Sequence, residues 1–121
     1  MQVIQIDANR AERYCDARLV VDFHTKAVTM DGEPARLTRM EFQLLAILAQ
    51  NAGEVVPRAT LLMHVWGYGP EIRTRTLDVH IRRLRHKLRD HSLQHIETIF
   101  GIGYRLQPCR TLNVLSNVAA G

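Results

Sequence analysis

Missing from this sequence are the long apolar runs of a membrane protein: nothing in it approaches the roughly 20 residues that a helix needs to cross a bilayer, and no apolar signal segment opens it. A membrane is therefore not an expected partner. Cysteine is scarce too. The two that occur, Cys15 and Cys109, stand far apart and outside any Cys-x-x-Cys spacing, which argues for a reducing, cytoplasmic compartment. Catalytic sets are also missing. No paired carboxylates, no nucleophile with its base and no metal-ligating cluster stand out, so neither an enzyme nor a cofactor is expected. Among the six histidines His91 and His95 lie four residues apart, but no cysteine or carboxylate completes a recognisable metal set with them. The run Gly101-Ile102-Gly103 resembles a phosphate-cradling loop only superficially, because no long helix follows it, and it reads as a hairpin turn.

What the sequence does contain is one concentrated patch of positive charge. With 16 Lys and Arg against 12 Asp and Glu the net charge is only +4, yet residues 73–89, RTRTLDVHIRRLRHKLR, hold seven cations against one acid, a local +6. The rest of the chain is slightly acidic. A local basic stripe is the footprint of a nucleic-acid reader, whereas uniform basicity would suggest nonspecific or membrane attachment. On a wheel turning about 100° per residue, Leu77, Ile81, Leu84 and Leu88 share a narrow stripe that must face a core. The opposite face carries Arg75, Thr76, Val79, Arg82, Arg83 and His86. A run of arginines on a helix can equally be a solvated face, and the neighbouring segments decide between the two.

Those segments are read within one domain of 121 residues, 46% hydrophobic and 23% charged, long enough to bury a core without metals or disulfides. Residues 1–11 contain a weak alternation and read as an extra strand or a linker remnant. From Glu12 onward RYC, RLVVDF, KAVTM and EPARL form up to four short strands, with Asp31-Gly32 predicting a type I′ hairpin and His24-Thr25 closing the preceding one. Thr38 and Glu41 read as a capping box that opens a helix with apolar positions Phe42, Leu44, Leu45, Ile47, Leu48 and Ala49, stopped by Gly53. Pro57 suits the first turn of a second helix that buries Leu61, Leu62, Val65 and Trp66. A loop containing Gly67, Gly69 and Pro70 then leads to the basic helix, expected to begin near Arg73 or Thr74. Segments 95–100 and 104–107 predict a hairpin, and the tail, residues 108–121, reads as loosely held. Asp78, Arg85 and Arg89 fall on the flank or end of the basic helix and are expected to hold arginines, acids or backbone groups. Phe42, Trp66 and Tyr104 are expected to pack in the protein.

Taken in order, LTRMEFQLLAILAQNAGEVVPRATLLMHVWGYG, RTLDVHIRRLRHKL and IETIFGIGYRL resemble the winged-helix effector domain of OmpR/PhoB-type response regulators of two-component systems, over residues 12–107. The resemblance implies an α+β winged helix-turn-helix: an N-terminal four-stranded antiparallel sheet, three helices and a C-terminal β-hairpin wing. It implies sequence-specific binding of double-stranded DNA as the output domain of a bacterial transcriptional regulator, with recognition helix 73–89 in the major groove and hairpin 96–107 at the minor groove. Arginine bonds guanine edges and phosphates alike, so sequence alone does not sort Arg75, Arg82 and Arg83. The division offered is Thr76, Val79, His80 and Arg83 as readers, Arg75 and Arg82 as clamps, and Arg105 as the cation near the wing. The loop of Gly67, Tyr68, Gly69, Pro70, Glu71 and Ile72 matches the segment that family members can present to RNA polymerase. Two copies head to tail on direct repeats are implied, with a monomer in their absence. About 11 residues precede the match, too few for the phosphorylated receiver domain that most members carry, so a fragment or a receiver-less protein is expected.

Two positions depart from the family pattern. Phe100 stands where a basic residue usually precedes the first wing glycine, and Pro57 where a Ser or similar cap often opens the second helix. The first departure leaves a second reading open, a protein-interaction module that presents its wing or interhelix loop to polymerase or to a sister subunit.

Overall fold

A computed structural model describes residues 12–90 and 95–109. The expected strand or linker in residues 1–11, His91 and most of the expected tail lie outside the described residues. Strands β1 (Arg13–Cys15), β2 (Leu19–Asp22), β3 (Val28–Met30) and β4 (Glu33–Pro34) form the anticipated four-stranded antiparallel sheet in the order β1-β2-β3-β4. Their period-two pattern turns Leu19, Val21, Val28 and Met30 inward, where all are buried. Met30 pairs with Glu33 across a turn in which Asp31 has φ 55° and Gly32 φ 82°, the two positive angles that a type I′ hairpin requires. The β2–β3 connection is longer than His24-Thr25 alone: the Asp22 carboxylate accepts the amides of His24 and Thr25, both at 2.9 Å, and Lys26 takes φ 67°.

Helix α1 (Arg39–Gln50) begins with both halves of the capping box in place: the Thr38 hydroxyl accepts the Glu41 amide at 3.2 Å, and the Glu41 carboxylate accepts the Thr38 amide at 2.9 Å. Leu44, Leu45, Ile47, Leu48 and Ala49 are buried, and Phe42 is partly so. After the helix Gly53, at φ 87°, donates its amide to the Leu106 carbonyl. A strand that the sequence reading did not anticipate follows, β5 (Val55–Pro57), antiparallel to the last strand of the chain. It is short and ends in proline, which a sheet accepts at an edge because no ladder donor is needed there.

Helix α2 (Arg58–Trp66) buries Leu61 and Val65 and half-covers Leu62 and Trp66; Pro57 is its N-cap and gives no side-chain cap. Helix α3 (Thr76–Lys87) starts later than the expected Arg73 or Thr74. The Thr74 hydroxyl accepts the Thr76 amide at 3.1 Å, a local turn that competes with helix and leaves Arg75 as the N-cap. At its other end Arg89 takes φ 56°, with Asp90 donating its amide to the Arg85 carbonyl and Arg89 to that of His86. The Arg89 guanidinium bonds the Met30 carbonyl at 2.8 Å and so ties this turn to the first sheet. Leu77, Ile81, Leu84 and Leu88 are all 0% exposed. At about 2 kcal/mol for each buried side chain, this stripe orients α3 far more firmly than helix propensity could. Helix α1 packs against both α2 and α3.

Strands β6 (Ile96–Ile99) and β7 (Gly103–Leu106) make the expected hairpin, inside a three-stranded sheet ordered β5-β7-β6. Gly103 is required by close approach, since a Cβ there would lie 2.0 Å from the Val56 carbonyl oxygen. The base of the hairpin is fixed by buried polar groups. Asp90 accepts the amides of His95 and Ile96 at 3.1 and 2.9 Å, and His95 Nε2 lies 2.7 Å from Asp16 Oδ2 in the β1–β2 turn. Burial would raise the Asp16 carboxyl, but hydrogen bonds from His95, Tyr14 and the amides of Leu19 and Arg18 outweigh it and hold the group well below the ordinary range. No helix among the described residues is long and apolar enough to cross a membrane.

Candidate nucleic-acid interface

The buried stripe of α3 determines what the helix shows to solvent. Arg82, Arg83 and His86 are exposed on its outer side, and Arg75, just ahead of the first turn, is exposed beside them. Val79 lies among these cations and is half-buried, as is Thr76. These are the sequence-predicted residues that the fold brings together. His80 is different. It sits on the flank that faces α2, its Nδ1 is 2.8 Å from the Thr76 carbonyl, and its ring meets Trp66 edge-on at a centroid distance of 5.0 Å. That contact makes His80 part of the packing between α2 and α3.

Arg105 is likewise not brought to the α3 surface. On β7 successive side chains alternate in direction, and Tyr104 points toward α3 while Arg105 points away from it. The Arg105 guanidinium donates from Nε and Nη2 to Glu97 Oε1 at 2.9 and 2.7 Å, a cross-strand pair between registered neighbours.

The opposite flank of α3 carries an anchor that sequence reading saw only in part. Asp78, in the first turn, accepts from Arg58 Nη1 at 2.5 Å and from the Tyr104 hydroxyl, so one carboxylate joins α2, α3 and β7. Burial would raise its pKa, but the bonds from Arg58 and Tyr104 prevail and lower it. Burial and the bond to Asp78 push the Tyr104 hydroxyl up to about 12. Two turns further along, Arg85 donates to the Ile96 carbonyl at 2.6 and 3.0 Å and to the Thr98 hydroxyl at 2.8 Å, with its guanidinium 5.8 Å from the Tyr104 ring centre. Asp78 and Arg85 therefore hold the positions expected of them. Arg58 was missed because nothing local marks a single arginine after Pro57 as the partner of a residue 20 positions away. The far end of α3 is secured by Lys87, whose ammonium reaches the buried Glu41 carboxylate at 2.7 Å.

Between α3 and the hairpin lies a groove of about 670 Å³ whose walls include Arg82, His86, Phe100 and Gly101, with Arg58 and Asp78 lining it as well. Phe100 at the hairpin tip is 90% exposed. The interhelix loop, residues 67–72, is held at its base by the Tyr68 amide bonding the Leu62 carbonyl at 3.2 Å and by Tyr68 stacking on Trp66 at 6.5 Å. Pro70, Glu71 and Ile72 are exposed at its crest. Among the described residues no group of three or more His, Cys, Asp or Glu side chains could hold a metal ion. A cationic helix face is thus mounted rigidly beside an apolar hairpin tip.

Comparison with known proteins agrees with this arrangement. A family model described as "Transcriptional regulatory protein, C terminal" matches residues 32–106. The response regulator ArlR of Staphylococcus epidermidis is 41% identical over 87 residues, which cover 71% of this chain and 40% of that protein. The transcriptional regulatory protein VxrB of Vibrio cholerae is 45% identical over 91 residues, covering 75% of this chain and 36% of that one. The chain therefore spans well under half the length of these curated relatives. Among solved structures, the Klebsiella pneumoniae RstA DNA-binding domain, crystallised in complex with the RstA box, superposes with a TM-score of 0.75 at 31% identity, covering 82% of this chain and 100% of that one.

Proposed function

Because this chain belongs to the family of C-terminal domains of transcriptional regulatory proteins, we propose that it binds double-stranded DNA sequence-specifically as the output domain of a two-component response regulator. Helix α3 enters the major groove and the β6–β7 hairpin serves as the wing. The observation that carries this reading is the geometry of α3: four apolar residues at 0% exposure fix its inner side, so that Arg82, Arg83 and His86 stand outward with Val79 among them. Arg83, Val79 and Thr76 are the readers, with Val79 suited to a thymine methyl, and Arg75 and Arg82 are the phosphate clamps. His80 acts at one remove, by seating Thr76 and Trp66. Arg105, occupied by Glu97, contributes to DNA only if that pair opens.

As in the RstA complex, the partner is DNA; two copies head to tail on direct repeats fit a domain whose helix and wing lie side by side. The exposed crest of the interhelix loop is the surface offered to RNA polymerase, and the cytoplasm is the compartment where both partners reside.

Selection of bound sequences from a random duplex library tests the reading. The expected result is a defined motif, repeated at one helical turn when two copies bind, and a loss of preference at one base pair with Val79→Ala. Recovery of unselected sequence would refute specificity, and an unchanged motif in Val79→Ala would refute the role given to Val79.

A further inference from the structure

We propose that the wing meets DNA through an uncharged contact, the ring of Phe100 seated in the minor groove beside the α3 footprint, in place of a cationic clamp. This rests on the DNA-binding reading above. Phe100 is 90% exposed and Ile102 is 54% exposed at the same hairpin tip, so neither contributes appreciably to the core of the free domain. Arg105 is the only cation in residues 96–106, and its guanidinium is engaged by Glu97 on the side of the sheet turned away from α3. The hairpin consequently offers a phosphate no unpaired positive side chain.

Phe100 nonetheless continues the proposed interface, because it lines the same groove as Arg82 and His86. A duplex that places its major groove on α3 and a phosphate on Arg82 runs its sugar–phosphate wall along this groove. The next minor groove then meets the hairpin tip. A phenyl ring has no donor or acceptor with which to read base edges there; it packs on deoxyribose and wedges against deformable steps, so it responds to groove width and to the ease of unstacking. No counterion is released by such a contact. Phe100 should therefore add affinity without adding to the salt dependence, the reverse of what a basic residue at this position would do.

The test is fluorescence anisotropy over a salt series with a duplex recovered by selection, comparing the wild type with Phe100→Ala, Phe100→Trp, Phe100→Arg and Arg82→Ala. Phe100→Ala is expected to weaken binding about tenfold, the scale of a lost aromatic contact with nucleic acid, at an unchanged salt slope and an unchanged melting temperature. Phe100→Trp should keep wild-type affinity, and Phe100→Arg should steepen the slope by about one unit. Wild-type affinity in Phe100→Ala, or a slope reduced by a unit, would overturn the proposal; so would a wing tip whose loss alters only the association of two copies. Arg82→Ala separates the two levels of the argument. If it reduces the slope by about one unit while Phe100→Ala is silent, only the wing contact fails, whereas silence in both counts against the DNA reading itself.

Discussion

Replacing Glu41 probes how the recognition helix is held from behind. The side chain is 2% exposed and does two separate jobs, accepting the Thr38 amide at 2.9 Å and the Lys87 ammonium at 2.7 Å. Glu41→Ala removes both. Loss of the cap bond costs about 1 kcal/mol. The bond to Lys87 would be worth about 1.5 kcal/mol if fully buried, but the Lys87 side chain is 35% exposed, so screening reduces its share to roughly 0.5–1 kcal/mol. The sum is about 1.5–2 kcal/mol, or a melting temperature lower by roughly 6–16 °C. Glu41→Gln keeps an acceptor for the Thr38 amide and removes only the charge, for about 0.5–1 kcal/mol. Urea unfolding followed by circular dichroism at neutral pH measures both variants, with the denaturant slope expected to stay constant. The pH dependence supplies an internal check. Burial would raise the Glu41 carboxyl, but Lys87 and the Thr38 amide outweigh it and hold it below its ordinary value of 4.5. A depressed folded pKa means that the stabilisation is present above the unfolded value and is lost as pH falls through the folded one, so the gap between wild type and Glu41→Gln should close below about pH 4.5. Equal costs for the Gln and Ala variants, or an Ala cost below about 0.5 kcal/mol, would refute the reasoning.

Other parts of the framework give sharp expectations. Gly103→Ala should cost roughly 3 kcal/mol or more in thermal or denaturant unfolding, because its Cβ would meet the Val56 carbonyl at 2.0 Å and neither backbone can retreat without breaking β5 from β7. Spectrophotometric titration should find two tyrosines still protonated well above pH 10, because burial and Asp16 raise the Tyr14 hydroxyl and burial and Asp78 raise that of Tyr104 to about 12; the Tyr104 bond to Asp78 stabilises the fold fully below the unfolded value of 10 and is lost as pH rises through 12. Tyr104→Phe should reduce the late-titrating tyrosines from two to one, leaving Tyr14, and cost about 1 kcal/mol.

Elements specified by local chemistry were legible in the sequence. Thr38 and Glu41 mark a helix start because both halves of the box lie three residues apart, Asp31-Gly32 marks a turn because few other pairs tolerate its angles, and the spacing of Leu77, Ile81, Leu84 and Leu88 identifies the buried side of α3 without reference to any partner. Features that depend on distant chain were not. β5 is three residues long and exists because β7 arrives beside it, and Arg58 becomes an anchor only when α3 brings Asp78 within reach. The same limit applies within the candidate site. His80 and Arg105 have the right chemistry for DNA, but Trp66 and Glu97 engage them in the fold, and neither partner is adjacent in sequence. The start of α3 was misplaced for a local reason that could have been read: Thr74 offers the Thr76 amide an alternative to helix. Phe100 was legible as a departure from the family pattern, but not its 90% exposure at the hairpin tip, which depends on how β6 and β7 pair.

The central claim is that the outward face of α3 binds duplex DNA through its arginines. Its most direct test is the slope of log affinity against log salt for a selected duplex, measured for the wild type, for Arg82→Ala and for Arg83→Ala. Binding should weaken steeply with salt, by a slope of about 0.9 for each phosphate neutralised. Arg82→Ala should reduce the slope by about one unit on every sequence, whereas Arg83→Ala should relax discrimination at one position. A flat salt response in the wild type, or arginine variants that bind like it, would contradict the account.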